Sequence, residues 1–145
     1  MQEILIVKLH QYILHNNLDL LITLQEKGNA ESYLKGKVLS IDTLFHELIA
    51  EGVPAYLIEE RCMDVLTQDL RPSKYNYLTS VLEEEFQSDY SRLKKNGTLS
   101  FEVINLIESC NPVFETIGFT EDNENDRHLR YAITGTIQEY FENNQ

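Results

Sequence analysis

Glycine, proline and asparagine fall together at five places, Gly28-Asn29, Gly52-Val53-Pro54, Arg71-Pro72, Asn96-Gly97 and Asn111-Pro112, and cut the chain into pieces the length of single helices. Inside those pieces apolar residues recur three or four positions apart, the period of one helix face. Between Asn29 and Gly52 the series is Leu34, Val38, Ile41, Phe45 and Leu48, spaced four, three, four and three. Asn29 is placed to cap this helix, Gly52 suits the left-handed position after its end, and Pro54 blocks continuation. Gly36, inside it, works against helix formation.

Pro54 then opens a second helix at its first turn, where a missing N–H costs nothing, with Ile58, Cys62, Val65 and Leu66 on its inner side and an end near Leu70. From Pro72 or Ser73 a third helix carries Tyr75, Leu78, Leu82, Phe86 and Tyr90 at helical spacing. A last one starts near Asp126 with Leu129, Ile133, Ile137 and Phe141 four apart. Ile4–Leu9 and Phe101–Ile107 are short apolar runs that periodicity alone cannot separate from strands; Leu5, Leu9 and Ile13 favour a helix for the first, and Phe101, Ile104 and Ile107 for the second.

The charge balance narrows the partners. With 24 Asp and Glu against 12 Lys and Arg the net charge is -12, and neither half is basic: 11 acids and 6 bases precede residue 72, 13 and 6 follow. Nucleic acid and anionic lipid are both bound through Lys and Arg, so both are disfavoured. A basic protein, a cation or an uncharged partner fits the field better. At 145 residues and 42% hydrophobic content the expected arrangement is one soluble domain, residues 1–145, with one core. No stretch approaches the roughly 18 apolar residues of a membrane span, and Glu3, Lys8 and His10 make the first 15 residues unlike a secretory signal, which points to the cytoplasm. Cys62 and Cys110 have no ligand spacing and read as two buried thiols.

The candidate chemical constellations each fall short at a named residue. His46-Glu47 begins the zinc signature HExxH, but position 50 is Ala. Asp122-Asn123-Glu124-Asn125-Asp126 alternates carboxylates like the start of a calcium loop, whose sixth and twelfth positions need Gly and Glu; here they are Arg127 and Ile133. A solvated acidic loop that supplies an N-cap explains the segment more simply. Glu83-Glu84-Glu85 and Asp89 form a carboxylate patch, with Glu85 and Asp89 four apart on one face, and read as a solvated surface. His10 and His15, five apart, lie off a common helix line. His128 sits between Arg127 and Arg130, which are expected to pair with the Asp122–Asp126 loop. No nucleophile elbow, phosphate loop or dinucleotide fingerprint occurs. Catalytic residue, metal site and cofactor are therefore all assigned as none.

At Thr134-Gly135-Thr136-Ile137-Gln138-Glu139-Tyr140 the sequence resembles a small bacterial family, the domain-of-unknown-function family eighteen-ninety-six of the Bacteroidetes, and the resemblance spans nearly the whole chain. Leu70 to Phe86, with Pro72, Tyr75, Leu78 and Leu82, looks like the family's central helix; Asn111-Pro112 departs from the family pattern. The resemblance implies an all-α, compact multihelical fold of about six helices in two packed layers, which makes both ambiguous runs helical. It implies no activity, and Thr134, Gly135, Thr136, Ile137, Gln138 and Tyr140 are carried as a motif of unassigned role. Glycine flanked by β-branched threonines is a poor helix interior, so compensation is expected: threonine hydroxyls bonding back to the preceding turn, and a close helix crossing, or else a self-association surface, at Gly135.

The functional expectation is a non-enzymatic helical interaction or regulatory protein, with a protein partner or a second copy as homodimer. The alternative is an enzyme or small-ligand binder using His10, His15, His46 or His128 with a carboxylate. A third reading is an acidic mimic of nucleic acid that occupies a nucleic-acid-binding protein.

Overall fold

The computed structural model describes residues 2–144. Among them there is no strand; nine α-helices and one 3-10 turn account for the ordered elements. They are α1 (Gln2–Asn16), α2 (Leu18–Glu26), α3 (Ala30–Ser40), α4 (Asp42–Ala50), α5 (Ala55–Leu66), α6 (Lys74–Glu85), α7 (Gln87–Asn96), α8 (Leu99–Ile117) and α9 (Arg127–Asn143), with the 3-10 turn at Gln68–Leu70. Both ambiguous runs are helical. The number exceeds the expected six because two of the expected helices are each divided in two and α2 follows α1 as a separate helix.

The stripe from Leu34 to Leu48 is split at Ile41, where the backbone takes φ -108°, ψ 16° and lets α4 depart from α3. Ile41 is itself buried, so the break keeps the apolar series on the inside. Likewise Phe86, at φ -132°, ψ 51°, separates α6 from α7 and keeps its ring packed 5.7 Å from that of Phe141. The reverse happens at Asn111-Pro112, expected as a break: α8 runs through it. An internal proline costs about 3 kcal/mol. Against that, Val103, Leu106, Ile107, Cys110 and Phe114 are buried on both sides of it, and a fully buried large apolar side chain contributes about 1.5–3 kcal/mol. The Lys74 ammonium ties the position down, donating to Asn111 Oδ1 at 3.0 Å and lying over the Phe114 ring.

Termini follow the chemistry read from the sequence in part. Ser73 Oγ accepts from the Asn76 N–H and Asp126 Oδ2 from the Leu129 N–H, both at 3.0 Å, capping α6 and α9. Gly52 is left-handed at φ 74° as expected. Asn29, by contrast, makes no side-chain capping bond.

The chain divides into two compact units, Met1–Arg71 and Pro72–Gln145. Its buried residues sort accordingly into two clusters rather than the one core expected. In the first unit, α1 packs on α2, α3 and α5, and α4 on α3 and α5. Leu5, Leu9, Ile13 and Cys62 are fully excluded from solvent there, so the N-terminal run that invited comparison with a secretory signal is a central core helix. In the second unit, α8 packs on α6, α7 and α9 around Leu78, Val81, Leu82, Val103, Leu106, Leu129, Ile133 and Ile137. Tyr77, Phe114 and Phe119 close one end of that cluster with centroids 4.7 to 5.9 Å apart, Tyr77 meeting both phenylalanines edge-to-face and the two phenylalanines tilted against each other.

Cys62 and Cys110 are free and buried, one in each cluster. Burial pushes the Cys110 thiol from 9.0 up to about 12. The unfolded chain therefore loses this proton near pH 9 while the folded chain retains it, and stability falls as the pH rises through that value. In urea unfolding Cys110 should contribute a loss of about 0.8 kcal/mol between about pH 8 and about pH 9.5, and Cys110→Ala should lack that contribution while Cys62, whose thiol burial also raises, keeps its own.

Candidate functional site

The residues singled out in the sequence are not brought to one place. His46 Nε2 lies 3.3 Å from Asp42 Oδ1, one turn earlier on α4, at a shallow depression shared with Gln2, Glu3 and Leu39. Both side chains are largely open to water, and the Gln2 amide also donates to Asp42. His10, His15 and His128 are exposed. No group of three or more His, Cys, Asp or Glu among the described residues could hold a metal ion.

In the acidic loop, Asn123 Oδ1 accepts from the Thr120 N–H and its amide donates to the Gly118 carbonyl, each at 2.7 Å. Its side chain closes the turn, and Asp126 is engaged as a helix cap. The carboxylate patch is also redistributed. The break at Phe86 removes Glu85 and Asp89 from a common helix. Arg130 pairs with Glu84 at 2.6 Å and Glu85 at 3.4 Å, tying α9 to α6, in place of the expected pairing with the loop. Asp89 instead meets Arg92 at 3.0 Å.

The C-terminal motif divides by role. Ile137 is fully buried with Leu129 and Ile133. Thr134 and Thr136 hydroxyls donate to the carbonyls of Arg130 and Ala132 at 2.8 and 2.9 Å, the expected back-bonding. Tyr140 donates to Glu102 Oε2 on α8 at 2.6 Å; burial first, and this carboxylate second, raise its phenol above 10.0. Gly135 and Gln138 are exposed, and a Cβ built on Gly135 would meet nothing within 4 Å. Among the described residues no helix crosses closely there, contrary to expectation. Thr134 and Thr136 compensate through hydrogen bonds, and Gly135 itself is a weak point in α9.

One concavity went unread in the sequence. In the first unit, Tyr12 of α1, Leu44 of α4 and Leu57, Met63 and Val65 of α5 line an open groove of about 640 Å³. Pockets of a few hundred to a thousand Å³ with apolar walls and few polar groups are the usual shape of binding sites. On α5, Ile58, Cys62 and Leu66 face the core, whereas Leu57, Glu60, Arg61 and Asp64 follow the outward stripe at intervals of three, one and three. Asp64 is held by the Arg71 guanidinium at 3.0 Å, which also donates to the Asp64 carbonyl. The only hint in the sequence is Leu57, an apolar residue off the buried face of its helix. The opposing walls come from residues 12 and 44, and no local pattern joins them.

Residues 9–145 match the family described as Domain of unknown function (DUF1896). The chain belongs to this family. The match runs through both units, so the groove and the C-terminal motif both lie within the family's span. No curated protein and no solved structure matches the chain. No helix of the described residues is long and apolar enough to cross a membrane.

Gly135→Ala should raise stability by about 0.5–1 kcal/mol, since the helix gains a better former and the added methyl meets open space. Thr134→Val, which removes a back-bond without changing shape, should leave the helix intact and change stability by less than about 1 kcal/mol. Both are read by thermal unfolding.

Proposed function

We propose that this member of the family is a non-enzymatic interaction protein of the cytoplasm, whose first unit accepts the apolar anchor of a protein partner in the α5 groove. The observation that carries the reading is the groove itself, an outward concavity floored by Leu44, Leu57, Met63 and Val65 in a chain with a net charge of -12. Leucine and methionine walls adapt to varied apolar side chains, which is how grooves that receive amphipathic helices are built. The acidic field disfavours nucleic acid and anionic membrane as the occupant. Two free thiols are consistent with a reducing compartment.

The His–carboxylate alternative is less well supported, because His46 and Asp42 meet on an open face where water is not excluded. An acidic mimic of nucleic acid would need carboxylates in an ordered, outward-facing row. Glu84, Glu85, Asp64 and Asp89 are each committed to an arginine instead.

A set of amphipathic helical peptides bearing Leu, Met or Phe anchors, titrated into isotopically labelled protein, tests the reading. Some member should shift the methyl resonances of Leu44, Leu57, Met63 and Val65 together and saturably. Leu57→Glu, on the outward face of α5, should weaken that peptide at least about tenfold, or about 1.4 kcal/mol, with the fold retained. Peptides that leave these methyls unmoved, or bind the variant equally, would rule it out.

A further inference from the structure

Resting on the groove reading, we infer that the occupant of the α5 groove is a second copy of this chain, paired with α5 parallel to α5 about a two-fold axis. The argument is one of charge. Leu57 and Asp64, seven residues apart, lie near the midline of the outward stripe of α5, with Glu60 on one edge and Arg61 on the other. Among the described residues neither Glu60 nor Arg61 has an ion-pair partner, and both are exposed, whereas Asp64 is compensated by Arg71. The stripe is thus close to neutral, in a chain carrying 24 acids against 12 bases. Two copies approaching by this stripe therefore meet little net repulsion, despite the acidity of the chain as a whole.

The arrangement of the two edges also selects the direction of pairing. A two-fold axis running along α5 sets the left edge of one helix against the right edge of the other. Glu60 then meets the partner's Arg61 and Arg61 meets the partner's Glu60, two opposite-charge pairs from one operation. An antiparallel pairing sets each edge against its own copy, Glu60 on Glu60 and Arg61 on Arg61, which is repulsive on both sides. Leu57 and Asp64, both on the midline, each meet their own copy across the axis; Arg71 offsets the Asp64 charge in each chain, and the groove walls beside Leu57, Leu44 and Tyr12, supply the apolar contact.

Sedimentation velocity on the full chain over about 1 to 500 µM tests the inference, a range that brackets small transient interfaces. A concentration-dependent monomer–dimer equilibrium is expected. Glu60→Arg alone and Arg61→Glu alone should each weaken it about tenfold or more, and the two substitutions together should restore it, because the swapped pair is again complementary. Leu57→Cys should cross-link two chains under mild oxidation, as parallel pairing requires. A chain that stays monomeric throughout, single reversals without effect, or a double reversal that fails to restore association would each overturn self-pairing. If a monomeric chain still takes an anchored peptide at the groove methyls, the groove reading survives and only the identity of its occupant falls; if it takes neither, both fall.

Discussion

None of these helices can stand alone. Helices of 9 to 19 residues with interior Gly, Thr and Pro are below or near the length at which an isolated helix persists in water, so each depends on burying its apolar stripe against neighbours. The structure meets that requirement twice. Leu5, Leu9, Ile13 and Cys62 organise one cluster and Leu106, Leu129, Ile133 and Ile137 the other, all fully withdrawn from solvent. The polar links reinforce this division: Lys8 with Glu59 and Lys37 with Asp69 in the first unit, and Arg130 with Glu84 and Glu85 in the second. Exposed pairs of this kind contribute at most about 1 kcal/mol each, so burial decides the fold and the charges fix its registers.

Which residues would be buried was largely legible, because helical spacing is a direct consequence of 3.6 residues per turn. Leu34, Val38, Phe45, Leu48, Leu78, Leu82, Leu129, Ile133 and Ile137 all lie inside, as their spacing indicates. Where helices bend was not legible. Ile41 and Phe86 are apolar and continue their stripes, so nothing in the series distinguishes a straight helix from two helices meeting at an apolar residue. Pro112 misleads in the opposite sense, since its local cost is set against Cys110 and Phe114 buried on either side of it. The two clusters were hidden for a related reason: periodicity says that a residue is inside without saying inside what.

The site was less legible than the fold. Metal and catalytic signatures are local, and their failure at Ala50, Arg127 and Ile133 could be read directly from the sequence. The α5 groove is a shape made by residues 12, 44 and 57–65, and the sequence offers no term for a gap between helices. The C-terminal motif shows the converse. It is locally distinctive, yet Thr134, Thr136, Ile137 and Tyr140 serve the packing of α9 on its own core, while Gly135 faces open space and Gln138 reaches only Glu142 one turn on.

The central physical claim is that each unit is closed by its own cluster. Native-state hydrogen exchange, followed residue by residue in the intact chain and in an Ile133→Ala variant, tests it most directly. Removing that fully buried side chain costs about 2–5 kcal/mol where it packs. The account predicts that amides of α6, α8 and α9 lose protection while those around Leu9, Ile13 and Cys62 in α1 and α5 keep theirs. An equal loss of protection in both sets would show a single cooperative core and contradict it.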